Sequence, residues 1–144
     1  MNRGNRGFVM SRSGRHIRGQ GLVEFALVLP IFLLLLFGMV EFGRAYMTKN
    51  ILTGAAREAV RQAAVQVDFP SADNAAQVRA QEVLNSAGIY GAVVTVTDNN
   101  VGEPSVVVSV TYNFPIIIGG FFGFTGPGNV IPLSSVTSMR RERY

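Results

Sequence analysis

The side chains able to do chemistry are few and stand far apart. The chain has no cysteine and a single histidine, His16, so thiol nucleophiles and cysteine metal sites are excluded and imidazole is confined to the N-terminus. Catalysis would have to rest on carboxylates, lysine or serine. Glu24 and Glu41 are about 25 Å apart along a helix, too far for joint acid and base work. Asp98, Asn99, Asn100 and Glu103 could offer oxygen ligands to calcium, but they lack the ligand alternation of an EF-hand loop, and a hairpin turn accounts for the same residues. No catalytic residue, metal or cofactor is expected, and the chain does not read as an enzyme. One acid still needs an explanation. Glu24 lies in Gly19-Gln20-Gly21-Leu22-Val23-Glu24-Phe25, at the head of an apolar run, where an ionised carboxylate costs about 2.5 kcal/mol or more toward the membrane centre.

The element that positions Glu24 is that run. From Leu22 to Val40 it is the single charged residue, and 19 helical residues extend about 28 Å, close to the roughly 30 Å of a bilayer core. Pro30 and Gly38 are tolerated in a membrane helix. Arg3, Arg6, Arg12, Arg15 and Arg18 all precede the run, while Glu41, Arg44 and Lys49 follow it. The positive-inside bias therefore sets the N-terminus in the cytoplasm and the C-terminal part outside. A secretory signal cut at Gly43-Arg44-Ala45 is the alternative, but the run exceeds a signal core and the cut would fall within a helix.

Composition agrees with this division. The chain has 144 residues, 48% of them hydrophobic and 15% charged, with a mean hydropathy of +0.28, which suits one domain attached to an apolar segment. The net charge of +4 belongs to the N-terminus: without residues 1–19 the balance is −1. Arg3-Gly4, Arg6-Gly7 and Arg18-Gly19 look like a short RNA-binding tail, yet a cationic leader needs no more than this, so no nucleic-acid partner is expected.

The basic leader ending in Gly19, with Glu24 five residues on and the apolar run from Phe25 to Val40, resembles the processing site of type IV prepilins, in particular the Flp-type and TadE-like proteins of tight-adherence systems. The resemblance implies that a membrane prepilin peptidase cuts between Gly19 and Gln20 on the cytoplasmic face, making Glu24 the fifth mature residue. Gly21 offers a second place to cut, which would make it the third. A buried acid is then explained by the new α-amine on Gln20, which can pair with Glu24 of the same or a neighbouring subunit. Phe25 accompanies Glu24 in that pairing segment.

Beyond Glu41 the helical pattern continues, with Leu52, Ala56, Ala59, Val60, Ala63 and Val67 forming a narrow, small-sided stripe. Glu58 and Arg61 add a surface pair. Asp68-Phe69-Pro70-Ser71 should break the helix, with Ser71 capping a second one that runs to about Ala87 and stops at Gly88. Ala76, Ala80, Val83, Leu84 and Ala87 share its apolar face. Ala92 to Thr97, a turn at Asp98-Asn99-Asn100-Val101-Gly102 and a return strand then form a hairpin. That strand sets Val106, Val108, Val110, Tyr112 and Phe114 on one face and Val107, Ser109, Thr111 and Asn113 on the other. A last strand covers about Ile131 to Met139.

TadE-like proteins also pair a membrane helix with a second helix, a valine-rich hairpin and a serine/threonine strand ending as Ser134-Ser135-Val136-Thr137-Ser138-Met139-Arg140-Arg141-Glu142 does here. The expected fold class is thus α+β: a single-pass N-terminal membrane helix extended into a pilin-like domain with a second helix and a small antiparallel sheet. The expected divisions are a leader at 1–19, a transmembrane helix at 20–41 and an extracytoplasmic domain at 42–144. The resemblance implies a minor pilin or pseudopilin of Flp pilus assembly in the bacterial inner membrane, N-in and C-out, or incorporated in the pilus, with prepilin peptidase and other pilin-like subunits as partners. An uncleaved membrane anchor whose domain binds another envelope protein is the alternative. Pro115 to Phe124, with Ile116, Ile117, Ile118, Phe121, Phe122 and Phe124, is apolar yet broken by glycines. It reads as a loop adding to the core, or as a patch for another pilin or the outer leaflet.

Overall fold

The computed structural model describes residues 17–66, 68–99, 104–121 and 129–141. Helix α1 (Ile17–Ala64) is followed by α2 (Phe69–Ser86), strands β1 (Val93–Asn99) and β2 (Ser105–Pro115), the short helix α3 (Ile117–Phe121) and strand β3 (Val130–Arg140). The three strands form an antiparallel sheet in the order β1-β2-β3, so the fold is α+β, as the sequence patterns predict. Two compact units divide the chain, Met1–Phe37 and Gly38–Tyr144, and α1 contributes to both.

The first unit holds the apolar part of α1. Leu22, Phe25, Leu27, Ile31 and Leu35 are exposed, and Pro30 lies inside the helix without ending it. Among the described residues α1 is the one helix long and apolar enough to cross a membrane, and no residue of its most apolar stretch is buried by the rest of the chain.

The second unit has one core. Leu52, Ala55, Ala56, Ala59, Val60 and Ala63 of α1, Ala72, Ala76, Ala80 and Leu84 of α2, and Val106, Val108 and Val110 of β2 are fully buried in it. The α1 positions recur at three and four residues, one stripe of a 3.6-residue period, and alanine there brings the backbones close. Along β2 buried and partly exposed residues alternate, as a sheet covered on one face requires. Val94 and Val96 of β1 pack against the same core. Val67, the last member expected on the α1 stripe, lies outside the described residues.

Four details differ from the sequence reading. Helix α2 starts at Phe69 with Asp68, not Ser71, in the N-cap position; Pro70 fits its first turn, where the missing N–H has no partner to lose. Ala87 is exposed at the C-cap rather than on the buried face, and Gly88 follows at φ +73, a left-handed conformation that favours glycine. Asp98 and Asn99 lie inside β1, opposite Val106 and Ser105, instead of in the turn; Asn100 to Glu103 fall outside the described residues. The segment after β2 opens as helix α3, not as an irregular loop.

Candidate functional site

The expected processing residues lie in the first three turns of α1. Gly19, Gln20, Glu24 and Phe25 are all exposed, and a methyl group added at Gly19 or Gly21 would meet nothing within 4 Å. The Gly19–Gln20 bond is helical, so a peptidase needing extended backbone must unwind this end. That costs little: the first four N–H groups of a helix have no internal partner, and each glycine lowers helix stability by about 1 kcal/mol relative to alanine. Gln20 Nε2 donates to Glu24 Oε1 at 3.3 Å, the i,i+4 reach of one turn. Cα–Cβ bonds tilt toward a helix's N-terminus, so Glu24 reaches back to residue 20. The leader residues Arg3, Arg6, Arg12, Arg15 and His16 lie outside the described residues.

A second constellation forms where the apolar run ends, inside the second unit. Glu41 Oε1 accepts from Arg44 Nη1 at 3.0 Å and from the backbone N–H of Ile117 at 3.2 Å. The Arg44 guanidinium stands 5.1 Å from the centre of the Phe114 ring, in range for a cation–π contact. The Ile116 N–H donates to the Asn129 carbonyl at 2.8 Å, closing the chain across the base of α3. Ile117 is exposed while Ile116 and Ile118 are half-buried. The Phe121 side chain, Phe122 and Phe124 lie outside what the structure describes.

Further along α1, Lys49 Nζ donates to the Ser134 carbonyl, Thr53 Oγ1 donates to the Lys49 carbonyl at 2.9 Å, and Ser135 Oγ donates to Thr53 Oγ1 at 3.1 Å. Ser135, buried in the inner face of β3, is therefore satisfied. Arg141 then bonds Asp98 Oδ2 and the Gln66 carbonyl, each at 3.2 Å. Bonds of Lys49 and Thr53 of α1 with Ser134 and Ser135, and of Gln66, two residues past α1, with Arg141, one past β3, show that β3 runs alongside α1 in the same direction. The spacings agree: residues 49 to 64 rise about 22 Å as helix, and 134 to 140 about 20 Å as strand.

On the outer side of α1 and α2, Glu58 bonds Arg61 at 2.8 Å and Arg79 at 3.3 Å, and Arg79 also reaches Glu82 at 2.9 Å. Hydrogen bonding from Arg61, with smaller help from Arg79, holds the Glu58 carboxyl below its ordinary range. Asp68 is also held low, chiefly by Ser71 beside it. The Glu58–Arg61 pair was legible as i,i+3 charges; the link to Arg79 and the Glu41–Ile117 and Arg141–Asp98 bonds were not, since no local spacing signals a contact across the fold.

Among the described residues no cluster of three or more acidic or histidine side chains could hold a metal ion. The geometry instead offers, in the first unit, an uncovered apolar helix with an acid about two turns in, and, in the second unit, a small domain bonded to the later part of α1 at Glu41, Lys49 and Thr53. No curated protein and no solved structure matches the chain. The family model for TadE-like protein does match it, over residues 19–61, so the segment shared with the TadE-like family is helix α1 from Gly19 to Arg61.

Proposed function

We propose that this chain is a minor pilin or pseudopilin that takes part in assembling a tight-adherence, Flp-type pilus, as a structural subunit and not an enzyme. It is inserted in the bacterial inner membrane with its N-terminus inside, and a prepilin peptidase cuts it after Gly19. The observation that carries this reading is the family match, which begins at Gly19 and runs through Glu24 and the whole apolar run. The exposure of that run supports it, because such a helix needs lipid or neighbouring helices around it. The functional residues are Gly19 and Gln20 at the cut, and Glu24 with Phe25 in subunit pairing.

A second reading keeps the chain uncleaved as a single-pass anchor whose domain binds another envelope protein. It draws support from the unbroken helix through Gly19–Gln20. The N-terminal mass of the membrane-extracted protein, expressed with and without a prepilin peptidase, separates the two. A peptidase-dependent start at Gln20, abolished by Gly19→Leu, is the expected result. A Met1 start in both samples would leave the anchor reading, and a start at Tyr46 would mean a secreted domain.

A further inference from the structure

The sheet of the second unit is apolar at one end and charged at the other. Asp98, Arg140 and Arg141 stand at the end formed by the close of β1 and β3. At the opposite end Pro115 pairs with Val130 and Phe114 with Ile131, and α3 continues directly from Pro115 through Ile116. Ile117 there is 62% exposed, and Val130 and Ile131 are also exposed. The same end is tied to a defined level of α1: the Ile117 N–H bonds Glu41, the residue after Val40, and Arg44 one turn on lies over Phe114. Phe42, 73% exposed, and Tyr46 flank that level on α1.

We propose that Ile117, with Phe42 and Tyr46, seats in the interfacial layer of the outer leaflet, making α3 a second lipid-contacting element beside the spanning helix. The inference rests on the reading that α1 is a membrane helix. Lipid is the occupant because the segment's level is set by the turn at which the apolar run leaves the bilayer, so the surface beside Ile117 is continuous with the lipid around Met39 and Val40. Exposed aromatic side chains at that level are what a membrane interface attracts. Glu41 and Arg44 neutralise each other, so the attachment depends on apolar contact and not on anionic headgroups.

The chain contains neither cysteine nor tryptophan, so single probes report one position. The full chain carrying Ile117→Cys, Met39→Cys or Thr97→Cys is labelled with a nitroxide and reconstituted in phosphatidylcholine vesicles. Collisions are then measured with oxygen, which concentrates in lipid, and with an aqueous nickel chelate. The label at 117 should shift toward oxygen, approaching the label at 39, while the label at 97 stays with nickel. A label at 117 that follows the one at 97 overturns the proposal. So does one shielded from both reagents that becomes accessible when protein is diluted into excess lipid, since that is a contact between subunits. If the label at 39 also prefers nickel, the membrane-helix reading itself fails. Ile117→Trp, quenched by brominated phosphatidylcholine if the proposal holds and unquenched if not, repeats the test without a label.

Discussion

On the proposed reading, Glu24 turns the cost of a carboxylate in an apolar helix to use. It lies about two turns inside α1 and reaches back to Gln20, where cleavage would create an ammonium group at the positive end of the helix dipole. Glu24→Ala should leave processing intact, because the cut lies a turn away, but should strongly reduce incorporation with other pilin-like subunits. N-terminal mass together with the amount of the chain in sheared pili reads both effects, and normal assembly of the alanine variant would remove the pairing role. Glu24→Gln keeps shape and hydrogen bonding but not charge, so a loss as severe as alanine's would assign the effect to the ion pair. As a candidate this residue was legible because it breaks an apolar pattern. Glu41 and Arg141 were not: each looks like an ordinary charge flanking an apolar segment, and its role comes from partners 76 and 43 residues away.

Among the elements, α1 and the β2 hairpin strand were readable because burial imposes a period on residue type. The stripe Leu52, Ala56, Ala59, Val60, Ala63 and the alternation Val106, Val108, Val110 are direct imprints of one covered face. Where local preference competed with pairing, pairing prevailed. Asp98 and Asn99 carry turn chemistry yet stay in β1, because the ladder to β2 takes them in opposite Val106 and Ser105 and Arg141 pairs with Asp98. Helix α3 was missed because glycines at 119 and 120 argue against helix, whereas its first N–H finds Glu41 from another element. The alanines make a specific expectation. Ala59 is fully buried in the close packing of α1, so Ala59→Leu should overpack it and cost about 2 kcal/mol. Chemical denaturation in detergent measures that loss, and no loss would mean that the helix has room to shift.

For the Gly38–Tyr144 unit as a whole, the decisive feature is that α1 and β3 lie side by side and are fastened at several levels. Arg141, one residue past β3, bonds the segment after α1 through the Gln66 carbonyl and β1 through Asp98. Both partners of the ion pair are mostly buried, so Arg141→Ala would remove a charged partner from Asp98 and should lower stability by about 2 kcal/mol, less than a fully buried pair because some solvent reaches it. A denaturation midpoint unchanged in the variant would show that the fastening contributes nothing. The same arrangement decides how the unit responds to force. A pull along this part of α1 loads the helix against β3 in shear, with the bonds at Lys49 and Thr53 and the alanine core resisting together. Peeling would break them in turn. Within the Gly38–Tyr144 unit, the later part of α1 and the sheet should therefore yield together and not strand by strand.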